Sequence, residues 1–220
     1  GFTAPSPGIT LLNGGVILTG GYKNMGPSAV HNVVLRGVRV RDGVHDGVQI
    51  GWEAHHVVVD HVSIDNSKDG NIDITHGAHD VTVQWSILGL TPQGKNMLVK
   101  TQLENTPAET NRISLHHNMY VNSAGRNPRI SNLATGAKLA TDITVDFRNN
   151  IVANWGSGIG TDVECGAKAN IVNNVYSSPA GSSVKQKQAI TIRPPVPNSY
   201  GKFNCDEALP NGPSYRGSAY

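Results

Sequence analysis

Seven short β-branched blocks recur along this chain, and their spacing constrains the fold more than any other feature. They are Gly8-Ile9-Thr10-Leu11, Asn32-Val33-Val34-Leu35, His56-Val57-Val58-Val59, Asp80-Val81-Thr82-Val83, Arg112-Ile113-Ser114-Leu115, Asp142-Ile143-Thr144-Val145 and Lys168-Ala169-Asn170-Ile171. Their first apolar residues fall at 9, 33, 57, 81, 113, 143 and 169, in steps of 24, 24, 24, 32, 30 and 26. Period-2 blocks of this length read as strands, not helices. Strands that return at a near-constant interval read as coils of a solenoid, each burying its apolar face on its neighbours. The expected fold is all-β, a right-handed parallel β-helix of about seven coils, its hand taken from the general crossover rule. An antiparallel sandwich would explain short strands but not the equal steps. Asn118, Asn150 and Asn174 each precede an apolar residue. Asparagine tolerates left-handed backbone and bonds to nearby main chain, so stacked coils would let the three pair in a ladder.

At 220 residues the chain is expected to form one domain, 1–220, with an irregular Pro-, Gly- and Ser-rich tail from about residue 194. Hydrophobic residues make up 38% and charged residues 15%, which excludes a disordered chain. There is no apolar run of about 18 residues, so no membrane span is expected. The net charge of +2 is far below that of a nucleic-acid binder but suits an acidic substrate. Cys165 and Cys205 are consistent with one disulfide or with two free thiols. The start at Gly1-Phe2-Thr3-Ala4-Pro5 lacks the charged and apolar regions of a signal peptide. No Gly-x-Ser-x-Gly elbow or phosphate-binding loop is present. Adjacent strand residues face opposite ways, so His55-His56 and His116-His117 are not expected to act as paired metal ligands.

The repeat converts sequence offsets into spatial columns, with coils roughly 4.8 Å apart. Measured from the block origins 33, 57, 81 and 113, Asp46, Asp69, Lys95 and Arg126 lie at offsets of 13, 12, 14 and 13. Two acids and two bases therefore fall in one column on four successive coils. Asp73, four residues beyond Asp69, shares its face if the chain between is extended. Asp46, Asp69 and Asp73 form a plausible calcium site, since calcium takes hard oxygen ligands in open geometry; Asp46-Gly47 and Asp69-Gly70 also read simply as turns. Lys95 and Arg126 beside such a cation would make a strip that attracts carboxylates. Lys23 extends the basic column, and Trp155 reads either as a sugar-stacking ring or as buried packing.

These residues carry a resemblance. Asp69-Gly70-Asn71-Ile72-Asp73-Ile74-Thr75 and the following Val81-Thr82-Val83 resemble the calcium-binding stretch of pectate lyases of polysaccharide lyase family one. Val59-Asp60-His61-Val62-Ser63, His45-Asp46-Gly47-Val48-Gln49-Ile50, Lys95-Asn96-Met97-Leu98, and His116-His117-Asn118 with Arg126-Asn127-Pro128-Arg129 are similar to further motifs of that family, in the same order. The resemblance runs from about Asn32 to Tyr176. It implies Ca2+ at Asp46, Asp69 and Asp73, a substrate carboxylate at Lys95, and Arg126 as catalytic base with Lys95 assisting. Arg129 would be structural or near the site, and Arg129 and Lys100 join Lys95 as candidate substrate contacts. The chain departs from the family in having Ser131 where a second substrate arginine is common, and Lys100 where the family is usually small.

The implied reaction is calcium-dependent β-elimination on α-1,4-polygalacturonate, giving 4,5-unsaturated oligogalacturonides. An arginine base works from its neutral form, so an alkaline optimum is expected. The implied protein is a secreted monomer, secretion being inferred from function alone. A calcium-free pectin lyase is disfavoured by the three aspartates. A polygalacturonase would need paired carboxylates, and the chain has no adjacent Asp-Asp pair. A non-catalytic polysaccharide-binding β-helix is the rival of a different class.

Overall fold

Each coil is made of three short strands whose backbone bonds run to the coils before and after. The computed structural model describes residues 8–20, 30–101, 109–132, 143–156, 159–178 and 188–193, with a small antiparallel pair at Val196–Pro197 and Phe203–Asn204. Successive strands go to three parallel sheets in rotation. Sheet A stacks Ile9–Leu12, Val38–Arg41, Ser63–Asp65, Ile87–Gly89, Met119–Val121, Ile151–Ala153 and Val175–Ser177. Sheet B stacks Val16–Thr19, Val48–Gly51, Gly70–Thr75, Lys95–Lys100, Arg129–Ser131, Thr161–Glu164 and Ile190–Arg193. Sheet C stacks His31–Arg36, His55–Asp60, His79–Gln84, Asn111–His116, Thr144–Arg148 and Lys168–Val172. This is a right-handed parallel β-helix of seven coils, with no helix among the described residues.

The register corrects the repeat at two points. In sheet C, Val33, Val57, Val81, Ile113, Val145 and Ala169 lie over one another, giving steps of 24, 24, 32, 32 and 24. The expected origin at Ile143 is displaced by two residues to Val145. Ile9 belongs to another column: it pairs with Val38 in sheet A, and its step of 24 to Val33 is coincidental. The extra residues of the two longer coils fall between sheets B and C, after Lys95–Lys100 and Arg129–Ser131.

Inward positions fill a single apolar shaft. Ile50, Ile72, Ile74, Met97, Val99 and Ile130 from sheet B meet Val57, Val81, Ile113 and Phe147 from sheet C and Ile64, Leu88 and Tyr120 from sheet A. Each such side chain contributes roughly 1.5–3 kcal/mol when fully buried. Trp155 is 0% exposed and packs edge-on against Tyr176, so the sugar-stacking alternative is excluded. Lys23 and nearly all of the tail from about 194 lie outside the described residues.

The expected asparagine ladder forms. Asn150 Oδ1 accepts from the Asn118 backbone N–H at 2.9 Å, and Asn174 Oδ1 accepts from Asn150 Nδ2 at 3.0 Å. The left-handed backbone lies one residue earlier than expected, at His61, Trp85, His117, Asn149 and Asn173, with φ between 50° and 55°. A left-handed residue turns the chain sharply out of the sheet, leaving the following asparagine directed inward. A second ladder, Asn71–Asn96–Asn127, runs along the entrance to sheet B with Nδ2–Oδ1 distances of 2.9 and 3.0 Å.

Candidate active site

The candidate residues gather where sheet A hands over to sheet B. Asp46 lies on the bend before Val48–Gly51, and Asp69 on the bend before Gly70–Thr75. Asp73 is within that second strand, pointing outward between the buried Ile72 and Ile74. Lys95 opens the next strand, in register with Gly70, and its other neighbour is Gly125. Arg126 follows on the coil above with φ 57°, and its carbonyl accepts from the Met97 N–H at 2.8 Å. The structure therefore brings Asp46, Asp69, Asp73, Lys95 and Arg126 to one flank.

The electrostatics of the cluster follow from burial and crowding. Burial pushes the Asp73 carboxyl up to about 8, helped by the negative charge of Asp46 and opposed by Arg126. Asp46 is pushed up to about 6 by burial first, then by Asp69. Asp69 is held low, chiefly by the hydrogen bond that Lys95 Nζ donates to its Oδ1 at 2.5 Å. Asp69 has its counter-cation in Lys95, whereas Asp46 and Asp73 are disfavoured as a charged pair by burial and by each other.

The donor set fits a hard cation. Asp46 Oδ1 is buried with no hydrogen-bond partner. A Cβ at Gly70 would lie 3.4 Å from Asp46 Oδ1 and 3.4 Å from Asp73 Oδ1, so only the missing side chain leaves both oxygens facing a common space. Oxygens from two coils around one cradle match calcium's tolerance for open, oxygen-only coordination. His45, Asp46 and Asp69 also each bring a ligand atom within 4.8 Å of the others.

Two further candidates lie apart from this centre. Arg129 faces outward two coils above Asp73, through Leu98. Its Nε donates to Glu164 Oε1 at 2.6 Å, and Arg193 closes the network through Asp162 and Glu164. Lys100 is at the far end of the Lys95 strand, five residues on, or roughly 16 Å along the sheet. The structure does not bring Lys100 to the aspartates.

Sequence reasoning missed His45, because strand alternation sets neighbours on opposite faces whereas a bend lets His45 and Asp46 converge. The reason expected for the histidine pairs, side chains on opposite faces, is corrected in the same way, while nothing among the described residues makes either pair a metal site. His56 and His117 have φ of 52° and 55°, which breaks the alternation. The Nδ1 atoms of His55 and His56 lie 2.5 Å apart, and those of His116 and His117 2.9 Å apart.

No family model matches the chain. It is 29% identical over 189 residues to the probable pectate lyase C of Aspergillus terreus, covering 84% of this chain and 39% of that protein. The probable pectate lyase C of Emericella nidulans is 29% identical over 184 residues, covering 83% and 38%. The chain thus spans about two fifths of the length of these curated relatives. A solved structure concerned with the substrate specificity and anti β-elimination mechanism of pectate lyase superposes with a TM-score of 0.56 at 17% identity, over 84% of this chain and 51% of that one. Over most of its length this chain is thus similar in sequence to these probable pectate lyases, and it shares the parallel β-helix fold of a solved one.

Proposed function

We propose that the chain carries the catalytic coils of a calcium-dependent pectate lyase acting on α-1,4-polygalacturonate. The Asp46 and Asp73 carboxylates at the Gly70 cradle, with Asp69 beside Asp46 and with Lys95 and Arg126 on the next two coils, carry this assignment. The names of the curated relatives support the same substrate class.

Asp46, Asp69 and Asp73 would hold the cation. When bound, it supplies Lewis-acid withdrawal of charge from the substrate carboxylate, which makes the adjacent C5 proton easier to remove. Lys95 pairs with the same carboxylate and stabilises negative charge developing at C5. Arg126 takes the C5 proton. The electron pair left behind forms the C4–C5 double bond as the C4–oxygen bond breaks, and the departing oxygen is protonated by water. Arg129, fixed by Glu164, lies up the same face and would receive a uronate further along the chain. Lys100 would meet the polymer, if at all, away from the scissile bond.

A polysaccharide substrate implies action outside the cell. The disulfide at Cys165 supports that setting, since such bonds persist in oxidising compartments.

The test is an assay on polygalacturonate at alkaline pH, with calcium and with chelator, following the short-wavelength ultraviolet absorbance of the conjugated, unsaturated product. Calcium-dependent growth of that absorbance is expected. Reducing ends without absorbance would mean hydrolysis, and binding without turnover would mean a carbohydrate-binding solenoid.

A further inference from the structure

Imidazole is a poor ligand for calcium but a good one for transition ions. One stands at the edge of the candidate metal centre. His45 is exposed on the bend that also carries Asp46. The bend is pinned over the next coil, because the Asp69 backbone N–H donates to the His45 carbonyl at 3.2 Å. A ring nitrogen of His45 and one oxygen each of Asp46 and Asp69 lie within 4.8 Å of one another. A spread of up to 4.8 Å admits either class of ion, so the choice rests on donor type, and an imidazole beside two carboxylates suits a borderline transition ion. Asp46 Oδ1 is buried without a partner beside them.

We propose that this centre also takes a borderline divalent transition ion, such as Co2+, Ni2+ or Zn2+, with His45 as its nitrogen ligand and Asp46 and Asp69 as its oxygen ligands. The inference rests on the metal assignment above and extends it to a second class of cation. The two ions compete, because Asp46 and Asp69 serve both. His45 adds affinity for the transition ion alone, since calcium gains little from replacing a water by an imidazole.

Co2+ is the probe, because its visible d–d absorption reports its ligands whether or not the protein turns over substrate. The full chain is titrated with Co2+ and, separately, with Ca2+ by calorimetry, and the Co2+ spectrum is then followed as Ca2+ is added. The wild-type protein is expected to bind one Co2+ that Ca2+ displaces. The His45→Gln variant, checked for an unchanged melting curve, is expected to lose about tenfold or more in Co2+ affinity while its Ca2+ affinity stays within about threefold. The Asp46→Asn variant is expected to lose both, which separates this centre from the surface histidine pairs.

Equal Co2+ affinity in wild type and His45→Gln overturns the proposal, as does Co2+ binding that Ca2+ cannot displace. If Ca2+ binds while Co2+ does not, this inference falls and the calcium assignment stands. If neither ion binds, both fall.

Discussion

At the scale of single residues, Gly70 and Lys95 bear on the candidate metal centre from opposite directions. A methyl group at Gly70 would occupy the space between Asp46 Oδ1 and Asp73 Oδ1 at ordinary contact distance from each, 3.4 Å. Gly70→Ala should therefore leave the fold intact and abolish measurable calcium binding, checked by calorimetry alongside a thermal melt. Lys95 neutralises Asp69 from 2.5 Å in a partly exposed pair. Its removal in Lys95→Met should tighten calcium binding by about 1 kcal/mol, or roughly fivefold, while lowering turnover; tighter binding with lost rate would separate the two roles. Arg126→Lys should cost about 100-fold or more in kcat with calcium affinity and melting temperature unchanged, because only the proton acceptor is altered. Near-normal turnover in that variant would remove Arg126 from the role of base. The charged residues were legible in the sequence because each lies at a near-constant offset from its coil's first apolar residue, and most of the extra length of the longer coils falls after sheet B. His45 was not, because its convergence on Asp46 depends on a bend that breaks strand alternation.

At the scale of elements, the asparagine ladders hold the corners of the coils. Asn96 is buried and bonded on all sides: it accepts from Asn71 and donates to Leu88 O and Asn127 Oδ1. Asn96→Ala would strand buried polar groups on two neighbouring coils, and should destabilise by about 2–4 kcal/mol, read as a lowered urea midpoint at unchanged slope. The exposed Asn122–Asn154 pair is the control; Asn154→Ala should cost less than about 1 kcal/mol. The Asn118 ladder was readable because each asparagine precedes an apolar strand residue. The Asn71–Asn96–Asn127 ladder was hidden, since Asn71 and Asn96 lie inside the motifs that resemble metal and substrate segments, and nothing local marks them as turned inward. Sheet membership was likewise not local. Ile9 and Val33 have the same alternating pattern, and only the partner strand shows that they belong to different sheets.

At the scale of the whole molecule, the crowded carboxyls link stability to pH. Asp46 and Asp73 bind protons more tightly in the folded chain than in the unfolded one, up to about 6 and about 8. Between their unfolded value near 4 and those limits the native state holds more protons, so stability falls as pH rises through that window. The metal-free protein should melt at a lower temperature at pH 8.5 than at pH 5, and Asp73→Asn should flatten that fall. Calcium at the proposed site would bind the ionised, folded form and offset the loss. At 100 times its Kd it should contribute about 2.7 kcal/mol, or roughly 5–10 °C, with a larger effect at pH 8.5 than at pH 5. A melting temperature independent of calcium at both pH values would count against the shared cation.

What the sequence determined by itself was the kind of solenoid and the order of charges along it. Strand alternation and coil length are set by near neighbours and by the need to keep one face of every strand apolar. The tertiary structure alone decided the register of the fifth sheet C strand at Val145, the burial of Trp155, the engagement of Arg129 by a glutamate 35 residues later, and the distance of Lys100 from the aspartates. Each of these depends on which coil lies above or below. Left-handed turns and inserted residues between sheets reset that relation without altering the local pattern of the strands they join.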